Sequence, residues 1–148
     1  MHKVQWIALT NTGIAKVYKY TLKERSLDLI EELNNEFARL KTSDIGADQP
    51  GRFQRTNTPR EGSYAQPTDP KDIEAQRFAG RICNYLADRQ ADIETLTIFA
   101  PGHFQAMIKS QMSKPVADKI ERFIDKDYTK LGIKDLEQQL ATTLNLRF

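Results

Sequence analysis

The chain has 148 residues, 39% of them hydrophobic, and a formal net charge of +2; that is the size of one domain, with enough apolar material for one core. No apolar run approaches the roughly 20 residues a membrane helix needs, no leader is recognisable, and the lone cysteine, Cys83, excludes an internal disulfide, so a reducing cytoplasm is expected. A balance so near neutrality permits a polyanionic partner without demanding one, although the start is lopsided: Lys3, Lys16, Lys19, Lys23 and Arg25 face only Glu24.

Residues 3–10 (KVQWIALT) and 14–20 (IAKVYKY) are rich in β-branched and aromatic types and flank Asn11-Thr12-Gly13, which predicts a β-hairpin. Gly13 is expected to supply a positive φ at that turn. Ser26 to Leu33 (SLDLIEEL) fits a strand or a helix equally. From Lys41 to Asp69 apolar periodicity gives way to Gly, Pro, Asp, Thr and Arg, a connection much longer than compact domains ordinarily hold.

A helix then has a clear start, with Asp69 as cap, Pro70 in the first position and Asp72 in the first turn. Ala75, Phe78, Ala79, Ile82, Tyr85 and Leu86 recur at helical spacing up to about Arg89, and Cys83 adjoins that stripe as a packed thiol. Residues 94–100 (ETLTIFA) read as a central strand ended by Pro101-Gly102. Phe104, Met107, Ile108 and Met112 predict an amphipathic helix. Ser113 and Pro115 break it before a short segment at 116–120, and a strand near 122–124 follows. Ile133, Leu136, Leu140 and Leu144 form the stripe of a last helix. The expected class is α/β, a mixed sheet flanked by helices.

Chemistry-bearing patterns are sparse. His2 and His103 have no partner at metal-ligand spacing, and neither GxGxxG nor GxxxxGK occurs, so no phosphate loop is predicted. His103 follows Pro101-Gly102, where α/β proteins bind ligands, or else serves the helix start. Asp125 and Asp127 can act as half of a Mg²⁺ site on an extended segment, or as surface and loop caps. The long connection carries Asp48, Pro50, Gly51, Arg52, Phe53, Arg55 and Arg60, and ends with Tyr64. Its arginines suit phosphate and its aromatics an unpaired base, whereas Asp44, Asp48, Glu61 and Asp69 allow an internal Arg–Asp network instead.

Read in order, QWIALTNTGIAKVYKY, SDIGADQPGR, DPKDIEAQRFAGRICNYL, LTIFAP and IDKDYT resemble the family of proteins required for attachment to host cells, over nearly the whole chain. The loop signature falls on Asp48, Pro50, Gly51 and Arg52. Two positions depart from the family: Thr10-Asn11-Thr12-Gly13 replaces a common acidic residue and alanines, and Gln49 stands where Arg or Lys is frequent. The resemblance implies kinship with the central domain of archaeal and eukaryotic release factors. That in turn implies a three-layer mixed sheet, with Ser26–Leu33 as a strand, and association with ribosomes or RNA. The chain has no Gly-Gly pair, so the hydrolytic Gly-Gly-Gln loop of release factors does not carry over.

The expectation is therefore a single, non-catalytic, ribosome- or RNA-associated domain over residues 1–148, without cofactor, metal or membrane contact. Arg52, Phe53, Arg55 and Arg60 would be its contacts. A protein-interaction module or homodimer, through an exposed strand or the Met107/Met112 face, is the alternative. A metal-dependent hydrolase on Asp125 and Asp127 is the third.

Overall fold

The structure, a computed structural model, describes residues 4–39 and 69–148. Strand β1 (Val4–Thr10) alternates Trp6 and Ala8 with Ile7 and Leu9, and all four are buried because β1 is central and covered on both faces. It pairs antiparallel with β2 (Ile14–Thr21) and parallel with β4 (Thr95–Phe99). Strand β3 (Ser26–Asn34) lies antiparallel to β2, and β5 (Ile120–Ile124) parallel to β4, so the order is β3-β2-β1-β4-β5. The segment that fits helix or strand is a strand. Its partners Val17 and Tyr18 face Glu31 and Leu29, which leaves Ile30 as an extra residue, a bulge in this edge strand.

Among the described residues there are four α-helices, α1 (Pro70–Asp88), α2 (Gly102–Gln111), the single turn α3 (Lys114–Ala117) and α4 (Ile133–Leu144), with short 3-10 turns at Glu36–Arg39 and Gln90–Asp92. Phe78, Ile82 and Leu86 of α1, Phe104 and Ile108 of α2, and Val116 of α3 cover Trp6, Ala8, Val17, Leu96 and Ile98 on one face of the sheet. Leu136 and Leu140 of α4, with Tyr128 and Leu146, cover Ile7, Leu9, Tyr18, Tyr20 and Phe99 on the other. The result is the expected three-layer α/β arrangement around a mixed sheet.

The start of α1 is as predicted, with the Asp69 carboxylate accepting from the Lys71 amide at 2.9 Å. Asp69→Ala should lower stability by about 1 kcal/mol in urea unfolding, the usual effect of an exposed cap. Cys83 is buried and its thiol donates to the Ile108 carbonyl at 3.4 Å, while burial pushes its pKa up to about 11. It is a packing residue.

Several expectations need correction. No described glycine has a positive φ; at the first hairpin the Asn11 side chain makes the turn, accepting from the Gly13 and Ile14 amides at 2.7 and 2.9 Å. The segment after Ser113 is the short α3, and the strand predicted near 122–124 begins two residues earlier, at Ile120. Ile133 is 52% exposed, so the α4 stripe rests on Leu136 and Leu140. Met107 is buried and Met112 half-buried against the same core, which leaves little of the Met107/Met112 face exposed.

Candidate functional site

In an open α/β sheet, ligands bind beyond the carboxyl ends of the strands, where neighbouring connections leave to opposite faces. Here β4 leads into α2 on one face and β5 leads towards α4 on the other. A cleft of about 710 Å³ opens at that end. The first hairpin supplies Asn11, Gly13 and Ile14; Pro101, His103 and Phe104 come from the start of α2, and Asp127, Thr129 and Lys130 from the loop after β5.

One residue ties these pieces together. Besides its two accepted bonds, the Asn11 amide donates to Asp127 at 2.9 Å and to the Thr129 hydroxyl at 3.0 Å, so both ends of the side chain are filled. Asp127 also accepts from the Thr129 amide and hydroxyl at 2.9 and 2.6 Å. The Lys16 ammonium donates to the Thr129 carbonyl at 2.9 Å. Burial alone would raise the Asp127 carboxyl, but hydrogen bonds from Thr129 and Asn11, with the Lys130 charge nearby, hold it below the ordinary carboxylate range.

Asp125 has a separate duty: it accepts from the Gly102 amide at 3.0 Å and so occupies the amino end of α2. Gly102 permits the approach, since a Cβ there would lie 3.3 Å from that carboxylate. The two aspartates, read as loop caps or else as half of a Mg²⁺ site, serve different partners, and among the described residues no three His, Cys, Asp or Glu side chains gather as ligands. His103 stands in the first turn of α2, largely exposed, with Nε2 3.8 Å from Asp72.

Most described cations are engaged inside the fold. Lys16, Arg81, Lys119 and Arg122 donate to backbone carbonyls, and Arg77 and Lys114 pair with Glu74 and Asp118. Arg89 and Lys109 lie over Tyr85 and Phe123. Among the described residues, exposed cations without such a bond stand at the two ends of the sheet. Lys130 lines the cleft, Lys126 and Lys134 stand at the same end after β5 and at the start of α4, and Lys23, Arg25 and Arg147 are at the opposite end.

Asp48, Pro50, Gly51, Arg52, Phe53, Arg55 and Arg60 lie outside the described residues. Their points of attachment do not. β3 finishes beside the start of β2, as the pairing of Asn34 with Ile14 shows, and β1 finishes there too, where Thr10 pairs with Ala15. The short turn Glu36–Arg39 follows β3, and Asp72 of the first α1 turn lies by His103. The described residues on either side of 40–68 thus both lie at the cleft end. The loop signature at 48–52 does not include Asn11, Thr129 or Lys130; the signals for the first two are Asn before a turn glycine and the Asp-x-Thr of IDKDYT, both patterns of local side-chain capping.

No curated protein matches the chain. Among solved structures it aligns with Dom34 of S. cerevisiae, described as a translation termination-like factor involved in RNA quality control pathways and interacting with Hbs1. The identity is 10% and the TM-score 0.41, over 95% of this chain and 37% of that one, so the chain spans little more than a third of that protein's length. Among the described residues no helix is long and apolar enough to cross a membrane. The profile of the family described as "Protein required for attachment to host cells" matches residues 6–140, and the chain belongs to that family.

Proposed function

We propose that the chain acts as one non-catalytic, cytoplasmic domain that associates with ribosomes or other structured RNA through the cleft end of its sheet. The observation that carries this reading is the coincidence there of Lys126, Lys130 and Lys134 with both attachments of the segment bearing Arg52, Phe53, Arg55 and Arg60. Arginines contact phosphates and Phe53 stacks on an unpaired base. The cleft's Asn11, Asp127 and Thr129 bond to one another, which suits a rigid platform better than proton transfer.

The test is retention of purified protein on ribosomes and on a structured RNA across a salt series, with Arg52→Ala/Arg55→Ala alongside. Salt-sensitive binding is expected, with the logarithmic salt slope of the variant lower by about 1.5 to 2. Equal retention of both proteins, or binding indifferent to salt, would remove the proposal.

A homodimer through edge strand β3 draws support from Leu29, which is 50% exposed. The same edge carries Asp28, Glu31 and Glu32, however, and a two-fold pairing would set carboxylates against carboxylates. RNA association is the better reading.

A further inference from the structure

The other group of unengaged cations lies at the far end of the sheet, where β2 ends and β1, β3 and β4 begin. Lys23 and Arg25 occupy the β2–β3 turn, exposed and without an ion-pair partner among the described residues. Arg25 holds a left-handed φ of 53° in that turn. Lys19 lies over the Trp6 ring on the α1 face. Arg147 is on the α4 face, where its carbonyl and amide both bond the buried Tyr20 hydroxyl. Of the carboxylates at this end, Glu24 accepts from the Ser26 hydroxyl and Glu94 from the Val4 amide, while the exposed Asp28 stands opposite Lys19 across the β2–β3 pairing.

We propose that Lys23, Arg25 and Arg147 form a second contact for the phosphodiester backbone of RNA. The domain would then bridge two backbone segments separated by the length of β1, about 20 to 25 Å for seven residues at roughly 3.3 Å each. Lys23 and Arg25 stand on the turn and Arg147 on the α4 face, with Leu22, 42% exposed, the one large apolar side chain of the turn. Exposed cations of this kind are complementary in charge to the phosphates of an RNA backbone. Phe148, 38% exposed and edge-on to Tyr20 at 5.4 Å, stands next to Arg147 as a surface on which a base can stack. This second contact rests on the RNA association proposed for the cleft end but is spatially separate from it.

The experiment is fluorescence anisotropy of a labelled RNA hairpin against the full chain over a salt series. Lys23→Gln/Arg25→Gln/Arg147→Gln is compared with wild type, with Arg52→Ala/Arg55→Ala, and with Arg77→Gln/Lys114→Gln, whose cations are already paired. All three substituted turn and tail residues are exposed, and superimposable thermal melts check that the fold is kept. The triple variant is expected to lower the logarithmic salt slope by about 2 to 3 and to weaken binding tenfold or more near 0.1 M salt, with the paired-cation variant unchanged. A triple variant that titrates like wild type while Arg52→Ala/Arg55→Ala loses affinity overturns the second contact and leaves the cleft-end reading standing. Wild type that binds no RNA removes both. Sedimentation of wild type with phosphatidylserine vesicles, lost in the triple variant while RNA binding is unchanged, assigns these cations to a lipid surface and overturns the second contact too.

Discussion

Replacing Phe99 with alanine is expected to lower the free energy of unfolding by about 3 to 5 kcal/mol, the largest effect of any single change considered for this protein. Phe99 is fully buried at the end of β4, between the central strand and the loop that carries the cleft. Its ring meets Tyr128 at 4.9 Å and packs in the layer closed by Leu136 and Leu140. Those partners come from a loop and a helix that are tied down elsewhere, so they cannot collapse fully into the space left by the missing ring. Phe99→Leu retains most of the volume and should lose less than half as much. Urea unfolding of the two variants checks this; similar midpoints for Phe99→Ala and wild type would mean that α4 and the Tyr128 loop repack freely.

Asn11→Ala is expected to cost about 2 to 3 kcal/mol, more than a surface asparagine can, because four hydrogen bonds end on one side chain. The Gly13 and Ile14 amides lose their acceptor, and Asp127 and Thr129 lose a donor. The acid limb of stability provides a second readout. Asp127 has a depressed folded pKa, so its contribution is fully present above the unfolded carboxylate value and is lost as pH falls through the folded one, below the ordinary carboxylate range. Removing one of its donors raises that folded pKa. The gap between wild type and Asn11→Ala should therefore narrow as Asp127 protonates. A constant gap from pH 7 to pH 2 would show that the donated bond to Asp127 contributes nothing.

Much of the architecture is legible in the residues themselves, and each success and failure has a physical reason. The α1 boundaries follow from Asp69, Pro70 and the stripe of Phe78, Ile82 and Leu86, because capping and 3.6-residue burial are local rules. β4 is recognisable as a buried strand since all five of its residues face covered space. β3 is not, because an edge strand need bury only part of one face and its bulge at Ile30 breaks the two-residue alternation. Gly13 is misread because glycine is the usual device for a tight turn, while Asn11 achieves the same end by bonding the backbone through its side chain.

The cleft itself is hidden from local reading. Asn11 meets Asp127 and Thr129 across sequence separations of 116 and 118 residues, and no short-range pattern reports such a meeting. His103 is flagged by its place after Pro101-Gly102, and the structure does put it on the cleft wall. Asp125 and Asp127 look like a pair in IDKDYT because an extended segment would aim them together, yet one closes the amino end of α2 and the other anchors Thr129.

The reach of the Asn11 side chain also sets a schedule. A ribosome adding roughly 5 to 20 residues per second needs about 6 to 23 seconds to make the 116 residues between Asn11 and Asp127. Throughout that interval the nascent hairpin, α1 and β4 can collapse on one another, but the wall that Asp127, Thr129 and Lys130 supply does not yet exist. The cleft is thus completed only after Asp127, Thr129 and Lys130 have been made, and any partner that needs its finished shape meets a chain already extended past residue 130.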